Sequence, residues 1–229
     1  MLEELRKQVL EANLELVRRG LVLYTFGNAS GIARAEGLVA IKPSGVPYES
    51  MRPEDLVITD LDGRIVEGTL RPSSDLDTHL VLYRAFPGIG GVVHTHSRYA
   101  TSWAQARRAI PCLGTTHADY FRGPVPVTRA MSPEEIESAY EANTGEVIAS
   151  HLAGGDAMQV PAVLVAGHGP FCWGTSAAEA AHNAVILEYV AEMAYYSVRL
   201  AEAPRELHPA HRDKHFLRKH GVTAYYGQK

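Results

Sequence analysis

The feature that most constrains the fold is a pair of short apolar runs, each leading to histidine. The first run, residues 90–96, contains His94 and His96, and the second, residues 162–166, is separated from His168 by a single glycine. Valine-rich runs of this length are typical of strands buried on both faces of a sheet. Helices must then cover both faces, so the chain is predicted to fold as an α/β domain.

The rest of the sequence alternates between helical and strand patterns. Helices are predicted at residues 2–19, 76–85, 133–152 and 176–203, and strands at residues 38–41, 56–59 and 64–66. A serine is expected to cap the second helix, and the turn Asp62–Gly63 predicts a hairpin. The predicted fold class is a three-layer α/β/α sandwich with a mixed, largely antiparallel central sheet. Because no repeat or linker interrupts the pattern, residues 1–229 are expected to form one domain.

Charge and cysteine content exclude several classes of protein. The formal net charge is −4, so no global basic field favours nucleic-acid binding. No apolar run approaches the roughly 18 residues of a membrane span, and the N-terminus lacks the pattern of a signal peptide. With Cys112 and Cys172 as the two thiols, we expect a cytoplasmic protein that binds neither nucleic acid nor membrane.

His94, His96 and His168 are candidate metal ligands. Alternate side chains of a strand point to the same face, so the first two imidazoles are expected to lie a few ångströms apart. Glycines on both sides of His168 would let its ring approach a ligand closely. Three imidazoles suit Zn²⁺, or another divalent cation such as Mn²⁺ or Co²⁺, and Asp75 is the expected fourth ligand. The alternative is a buried polar pair beside an ordinary turn histidine.

Three further residues near these candidates have two interpretations each. Cys172 could be a competing thiolate ligand, and we prefer to interpret it as a core residue. His79 lies one helical turn from Asp75, where it could orient that carboxylate or simply pack beside it. The role of His117 stays open.

Three short turns of small polar residues are candidates for binding an anion. They span residues 27–30, 42–45 and 72–75. Each offers backbone N–H groups with a hydroxyl or amide, and the third also begins a helix. Each could equally be a plain turn. No phosphate-binding P-loop and no Gly-x-Gly-x-x-Gly after a strand is present, so no nucleotide cofactor is expected.

Longer motifs accompany these residues. They are Lys42-Pro43-Ser44-Gly45-Val46, Glu67-Gly68 with Pro72-Ser73-Ser74-Asp75, His94-Thr95-His96, Thr115-Thr116-His117-Ala118-Asp119-Tyr120-Phe121, His168-Gly169, and Lys219-His220-Gly221 with Ala224-Tyr225-Tyr226-Gly227-Gln228. With this combination the chain resembles the class II aldolase and adducin-head family along its whole length. The finer motifs resemble the epimerase branch of that family.

The resemblance implies a set of site residues and an assembly. It implies metal binding by Asp75, His94, His96 and His168. It implies substrate binding by Gly27, Asn28, Ser44, Gly45, Ser73 and Ser74, with Glu141 and His215 as auxiliaries. Asp119 and Tyr226 would be the two acid-base groups. A homotetramer with four-fold symmetry is also implied, with sites between subunits and the Tyr226 tail reaching a neighbour.

The resemblance further implies that the chain inverts carbon 4 of a ketopentose phosphate. The hydrogen on that carbon is not adjacent to the carbonyl, so inversion requires either oxidation or cleavage between carbons 3 and 4. No nicotinamide site is indicated, and cleavage needs a lysine Schiff base or a metal. No lysine is expected where burial would lower its pKa, which favours the metal. Alternatives are an aldolase that releases its fragments, a sugar-phosphate dehydratase and a non-catalytic adducin-like scaffold.

Overall fold

The computed structural model describes residues 2–222 and 224–227. The helices are α1 (Leu2–Arg18), α2 (Leu76–Ala85), α3 (Arg98–Gln105), α4 (Thr115–Ala118), α5 (Pro133–Glu137), α6 (Tyr140–His151), α7 (Ala177–Leu200) and α8 (Pro209–His220). The strands are β1 (Asn28–Ala33), β2 (Leu38–Ile41), β3 (Val57–Asp60), β4 (Ile65–Glu67), β5 (Gly91–His94), β6 (Ala162–Leu164) and β7 (Pro170–Gly174). Within these residues no helix is both long and apolar enough to cross a membrane.

The seven strands form one sheet in the order β4-β3-β2-β1-β5-β7-β6. Every pairing between these strands is antiparallel. Within residues 2–222 and 224–227, an isolated bridge between Val127 and Leu164 is the one parallel contact. The largely antiparallel sheet expected from the sequence is therefore confirmed, and the pairings between its strands are all antiparallel. The hairpin between β3 and β4 is confirmed, with Gly63 at a positive φ of 82°.

Two hydrophobic clusters, one on each face of the sheet, make the three predicted layers. The larger cluster joins α1, α3 and α7 to one face through residues such as Leu16, Trp103 and Leu187. The smaller cluster joins α2 and α6 to the other face, with Leu80 of α2 and Ile148 of α6 buried. The three-layer α/β/α arrangement is therefore confirmed.

A glycine allows α7 to approach the central strand β5 very closely. A Cβ atom at Gly91 would lie 2.4 Å from the backbone nitrogen of Ala177, a distance that no real contact tolerates. The first turn of α7 therefore packs directly on the backbone of β5. This contact supports the strand that ends in His94.

Several elements differ from the predictions. The predicted helix at 133–152 is divided into α5 and α6, because the backbone of Ser138 leaves the helical region with ψ at −111°. The turn predicted at 27–30 is not formed: Gly27 has a positive φ of 80°, and Asn28 already begins β1. No serine caps α2; its N-cap residue is Asp75. Strand β7 and helices α3 and α8 were not predicted, the last because its sequence is polar and basic.

Candidate functional site

The register of three neighbouring strands brings the site together at one edge of the sheet. Asn28 of β1 is paired with His94 of β5, and His94 is paired with Phe171 of β7. His168 lies in the turn between β6 and β7, next to the same edge. The carboxylate of Asp75 reaches this edge from the start of α2, where it accepts a hydrogen bond of 2.6 Å from the Asn28 amide.

Three imidazole rings converge there, as predicted. The ring centroids of His94 and His96 are 4.9 Å apart, and those of His94 and His168 are 4.7 Å apart. One potential ligand atom from each of the three lies within 4.8 Å of the others. His96 lies beyond the end of β5, yet its Nε2 is 3.0 Å from Nε2 of His94.

The surroundings of His94 prepare its ring to act as a ligand. Its Nδ1 donates a hydrogen bond of 2.9 Å to the carbonyl of Pro170, which leaves Nε2 free to face the other rings. The ring also stacks on Phe171 at a centroid distance of 4.2 Å. Burial lowers the pKa of His94 to about 3 and also lowers the pKa of His168. Both imidazoles are thus neutral at neutral pH, which is the form that binds metals.

This donor set fits a divalent cation. Three imidazoles facing one open cavity have the composition of a catalytic metal site with a free coordination position. Asp75 borders the same cavity, but none of its oxygens belongs to the compact group that the three histidines form. Burial opposes its ionisation, yet His94, His79 and the Asn28 hydrogen bond together lower the pKa of Asp75. It is an anion beside the histidines, and its role as a fourth ligand stays a prediction.

A cavity of about 480 Å³ opens beside the histidines and is bordered by all three polar turns. Its lining consists of Thr25, Phe26, Gly27, Asn28, Lys42, Pro43, Ser44, Gly45, Ser73, Ser74, Asp75, His94, His96, Tyr140, Glu141 and His168. Seven of the eight residues predicted to bind substrate are among them; the exception is His215. The structure therefore places the predicted metal group and the predicted phosphate turns in one space.

Backbone contacts hold the three turns in place. Ser44 N–H donates to the carbonyl of Arg71, and Ser73 N–H donates to that of Lys42, each at 2.9 Å. The Asn28 amide donates to Ser73 Oγ at 3.0 Å, whereas its own Oδ1 is buried without a partner among the described residues. At Gly27, a Cβ atom would lie 2.9 Å from the carbonyl of His94. Hydrogen bonds thus connect the three turns to one another, and Asn28 Oδ1 can still accept a hydrogen bond from a ligand.

Lys42 is a functional candidate that the sequence reasoning missed. Its side chain is almost wholly buried. Nζ donates a hydrogen bond of 3.2 Å to the Pro43 carbonyl and lies 4.7 Å from the centre of the Tyr48 ring. Burial lowers the pKa of Lys42 to about 8. The prediction that no lysine is desolvated is wrong here, because the side chain that follows β2 is buried against the Tyr48 ring. The usable signal was the position of Lys42 directly after a buried strand.

Asp119 forms a second cluster, with helix α8. It lies at the end of α4, and its carboxylate accepts hydrogen bonds from Arg218 and from His215 Nδ1, the latter at 2.9 Å. Lys219 Nζ lies 3.7 Å from the same carboxylate. Burial opposes ionisation, but the hydrogen bonds from Arg218 and His215 outweigh it and lower the pKa of Asp119.

Tyr226 belongs to this second cluster. Its ring is exposed, with the Arg218 guanidinium 5.1 Å and Lys219 Nζ 4.4 Å from its centre. Asp119, His215 and Tyr226 do not line the histidine cavity. The predicted site residues thus fall into two groups within one chain, and the catalytic roles of Asp119 and Tyr226 stay predictions.

The three residues with open interpretations have structural partners. His79 is buried and shares a hydrogen bond of 2.7 Å with Ser30, not with Asp75. His117 donates a hydrogen bond of 2.7 Å to the carbonyl of Gly123. Cys172 is buried within β7, and burial raises the pKa of its thiol. All three therefore have packing roles in the described structure.

Comparisons with known proteins agree with this geometry. The family described as Class II Aldolase and Adducin N-terminal domain matches residues 7–195. The chain is 54% identical to L-ribulose-5-phosphate 4-epimerase UlaF of Salmonella paratyphi B over 228 residues, covering 100% of both chains.

Solved structures of two aldolases have the same fold. An L-fuculose 1-phosphate aldolase superposes with a TM-score of 0.78 at 26% identity, covering 93% of this chain and 94% of its own. The L-fuculose-1-phosphate aldolase from Thermus thermophilus superposes with a TM-score of 0.69 at 27% identity, covering 89% and 98%. With most of its length matched and its histidine group in place, the chain belongs to the class II aldolase and adducin N-terminal domain family.

Proposed function

We propose that this protein interconverts L-ribulose 5-phosphate and D-xylulose 5-phosphate. The observation that carries the proposal is that one cavity holds both the three-histidine group and the three anion-binding turns. The choice of substrate within the family is supported by the full-length relatives at 54% identity, which are named L-ribulose-5-phosphate 4-epimerases.

Inversion at carbon 4 would proceed by cleaving and re-forming the bond between carbons 3 and 4. Cleavage yields glycolaldehyde phosphate and a three-carbon fragment that carries the bonding electrons. A bound divalent cation would supply Lewis-acid stabilisation of that charge, and His94, His96 and His168 are the residues that would hold it, with Asp75 beside them. The cation that we propose is Zn²⁺, with Mn²⁺ or Co²⁺ as substitutes.

The polar turns would keep the aldehyde fragment bound while it rotates. Their backbone N–H groups and hydroxyls suit a phosphate, and the buried ammonium of Lys42 adds positive charge at the cavity wall. A tethered phosphate lets the aldehyde present its other face without leaving the site. Retention of the fragment is the property that separates an epimerase from an aldolase with the same chemistry.

Two proton transfers accompany the reaction, and we assign them to Asp119 and Tyr226. The carbon 4 hydroxyl loses a proton when the bond breaks, and the new alkoxide gains one when it re-forms. Because Asp119 and Tyr226 lie outside the histidine cavity of their own chain, we infer that they serve the cavity of a neighbouring subunit. This assignment supports a homotetramer with sites between subunits. Such a protein would act in the cytoplasm, in arabinose catabolism.

An aldolase that releases its fragments is the second candidate, because the superposed solved structures carry that name. A non-catalytic adducin-like scaffold is disfavoured, since such a protein has no need for three convergent histidines. The deciding experiment supplies zinc-loaded protein with L-ribulose 5-phosphate and follows products by NMR. D-xylulose 5-phosphate without free dihydroxyacetone supports the epimerase; dihydroxyacetone and glycolaldehyde phosphate as final products support the aldolase.

A further inference from the structure

The hydrogen bonds to the Asp119 carboxylate are distributed unequally between its two oxygens. Oδ1 accepts from His215 Nδ1 at 2.9 Å, from Arg218 Nε at 3.1 Å and from Arg218 Nη2 at 2.9 Å. Among the residues that the structure describes, Oδ2 accepts from Arg218 Nη2 alone, at 2.9 Å, and Lys219 Nζ lies 3.7 Å away. A carboxylate oxygen has two lone pairs, so Oδ1 is saturated and Oδ2 keeps acceptor capacity.

Arg218 also holds the chain segment that carries Tyr226. Its backbone carbonyl accepts the N–H groups of Tyr225 at 3.0 Å and Tyr226 at 3.1 Å. Its guanidinium lies 5.1 Å from the centre of the Tyr226 ring. A single residue therefore contacts both groups that we assign to proton transfer, Asp119 through its side chain and Tyr226 through both its side chain and its backbone.

We propose that Arg218 is a positioning residue that locks the Asp119 carboxylate so that Oδ2 is the oxygen that exchanges the proton with substrate. This inference rests on the proposed function. The proton of the carbon 4 hydroxyl passes to Oδ2 as the carbon 3 to carbon 4 bond breaks, its electron pair remains on carbon 3, and carbon 4 becomes an aldehyde. After attack on the other face, the alkoxide takes a proton from the Tyr226 hydroxyl, and exchange with solvent restores both groups.

Other ionisable groups surround the pair and define what Arg218 alone contributes. From α8, His215 and Lys219 face the carboxylate. His220 of the same helix donates a hydrogen bond of 2.8 Å to the backbone carbonyl of Asp119. Tyr120 lies on the far side of Lys219, with its ring centre 4.3 Å from Nζ. His215 and Lys219 each approach one carboxylate oxygen, and His220 contacts the backbone. Within the described part of the chain, Arg218 alone bridges both oxygens, in a bidentate geometry that lysine cannot reproduce.

The test compares Arg218→Gln and Arg218→Lys in the full-length, metal-loaded protein. We expect Arg218→Gln to lower kcat by about 10²-fold, the cost typical of a misplaced catalytic group, while KM stays within about twofold because Arg218 acts on proton transfer through Asp119 and is not among the residues that we assign to substrate binding. The acidic limb of the pH profile of kcat should move to higher pH. In Arg218→Lys, the acidic limb should return close to its wild-type pH, because the positive charge is kept. Its kcat should recover less, because the bidentate contact is lost.

Arg122→Gln is the matched control. Arg122 Nε donates a hydrogen bond of 3.1 Å to Asp213 of α8. Loss of this hydrogen bond weakens the packing of the same helix but leaves the contacts of Asp119 unchanged. We expect kcat of this variant to stay within about twofold of wild type, as for a partly exposed ion pair. Equal losses in Arg122→Gln and Arg218→Gln would overturn the inference, as would a folded Arg218→Gln with wild-type kcat and an unmoved acidic limb.

A second readout separates this inference from the proposed function. If wild-type protein fails to epimerise L-ribulose 5-phosphate, the proposed function is wrong, and the carboxyl group of Asp119 can still be titrated by ¹³C NMR. A higher pKa of Asp119 in Arg218→Gln than in wild type supports the positioning contact. An unchanged pKa overturns it, whatever the substrate.

Discussion

His94 Nε2 and His96 Nε2 face each other at 3.0 Å, although only His94 belongs to strand β5. Two unprotonated nitrogens at this distance would repel each other, so one must donate a proton when no cation lies between them. A divalent cation removes the need for that proton. Metal binding is therefore expected to move that proton to the other nitrogen of the same ring, and to be weaker at low pH, where protonated imidazoles cannot bind the cation.

The first prediction concerns removal of one imidazole. His96→Ala should lose the cation and lower turnover by at least about 10²-fold, because it removes one of the three convergent imidazoles and leaves only two histidines to hold the ion. Elemental analysis beside the epimerase assay measures both effects. His151→Ala, at an exposed position at the end of α6, is the control and should keep both. A metal-free His96→Ala with full activity would exclude the metal from the reaction.

The second prediction separates proton transfer from metal binding. Asp119→Asn should lower kcat by about 10²- to 10⁴-fold, the range of a general acid-base group, because an amide cannot take the carbon 4 proton. Its metal content should equal that of wild type, since Asp119 lies outside the histidine cavity. The same elemental analysis and assay apply. An active Asp119→Asn variant would remove this carboxylate from the mechanism.

The third prediction concerns sites shared between subunits. His96→Ala and Asp119→Asn, each inactive alone, are unfolded together and refolded as a mixture. If each site combines histidines of one subunit with Asp119 of its neighbour, random tetramers regain about a quarter of wild-type activity. The assay of the mixture is compared with each variant refolded alone. Absence of any recovery from mixtures of confirmed oligomers would assign both groups to the same chain.

The fourth prediction concerns the buried Lys42. Because its pKa is lowered to about 8, its ammonium is lost as pH rises through that value, and kcat/KM for the phosphorylated substrate should fall above about pH 8. Lys42→Arg keeps its positive charge at high pH, so kcat/KM of this variant should not fall above about pH 8. Borohydride added with substrate should not inactivate the protein, because the lysine serves as a charge and not as a Schiff base. Inactivation by borohydride would reverse that assignment.

The fifth prediction concerns the packing of α2 on α6. A Cβ atom at Gly145 would lie 2.6 Å from Cβ of Val81, so Gly145→Ala should lower the free energy of unfolding by about 1 to 3 kcal/mol, the usual cost of overpacking. Gly155→Ala is the control, because its Cβ would meet only the Leu152 carbonyl at 3.6 Å. Urea titration followed by circular dichroism measures both. Equal stability of the two variants would contradict the close packing.

The local pattern of the sequence was enough to predict the layers and the histidine group. Valine-rich runs identify strands buried on both sides, and the two-residue spacing of His94 and His96 gave the right proximity even though the strand ends between them. Strand β1 was harder to predict, because the small residues of Asn28–Ala33 resemble a turn. It becomes a strand only by pairing with β2 and β5, which are distant in sequence.

The environment of individual charges could not be predicted from local patterns. The Lys42 side chain is buried against the Tyr48 ring, and its backbone carbonyl accepts a hydrogen bond from Ser73 N–H, which lies far along the chain. Asp119 is held by Arg218 at a sequence separation of 99. The helix that carries Arg218 has a polar, basic sequence with no marked apolar face, and it packs against α4 and the loop that follows it. Long-range ion pairs of this kind leave no periodicity in the sequence.

The antiparallel contact between β5 and β7 joins segments that are far apart along the chain. His94 ends one of these segments and His168 precedes the other, so a cation held by both rings would bridge a long loop. Opening either segment would require the cation to be released first. The lifetime of the folded chain would then depend on the concentration of the free ion. A shortage of the ion would make the protein more sensitive to proteolysis as well as inactive.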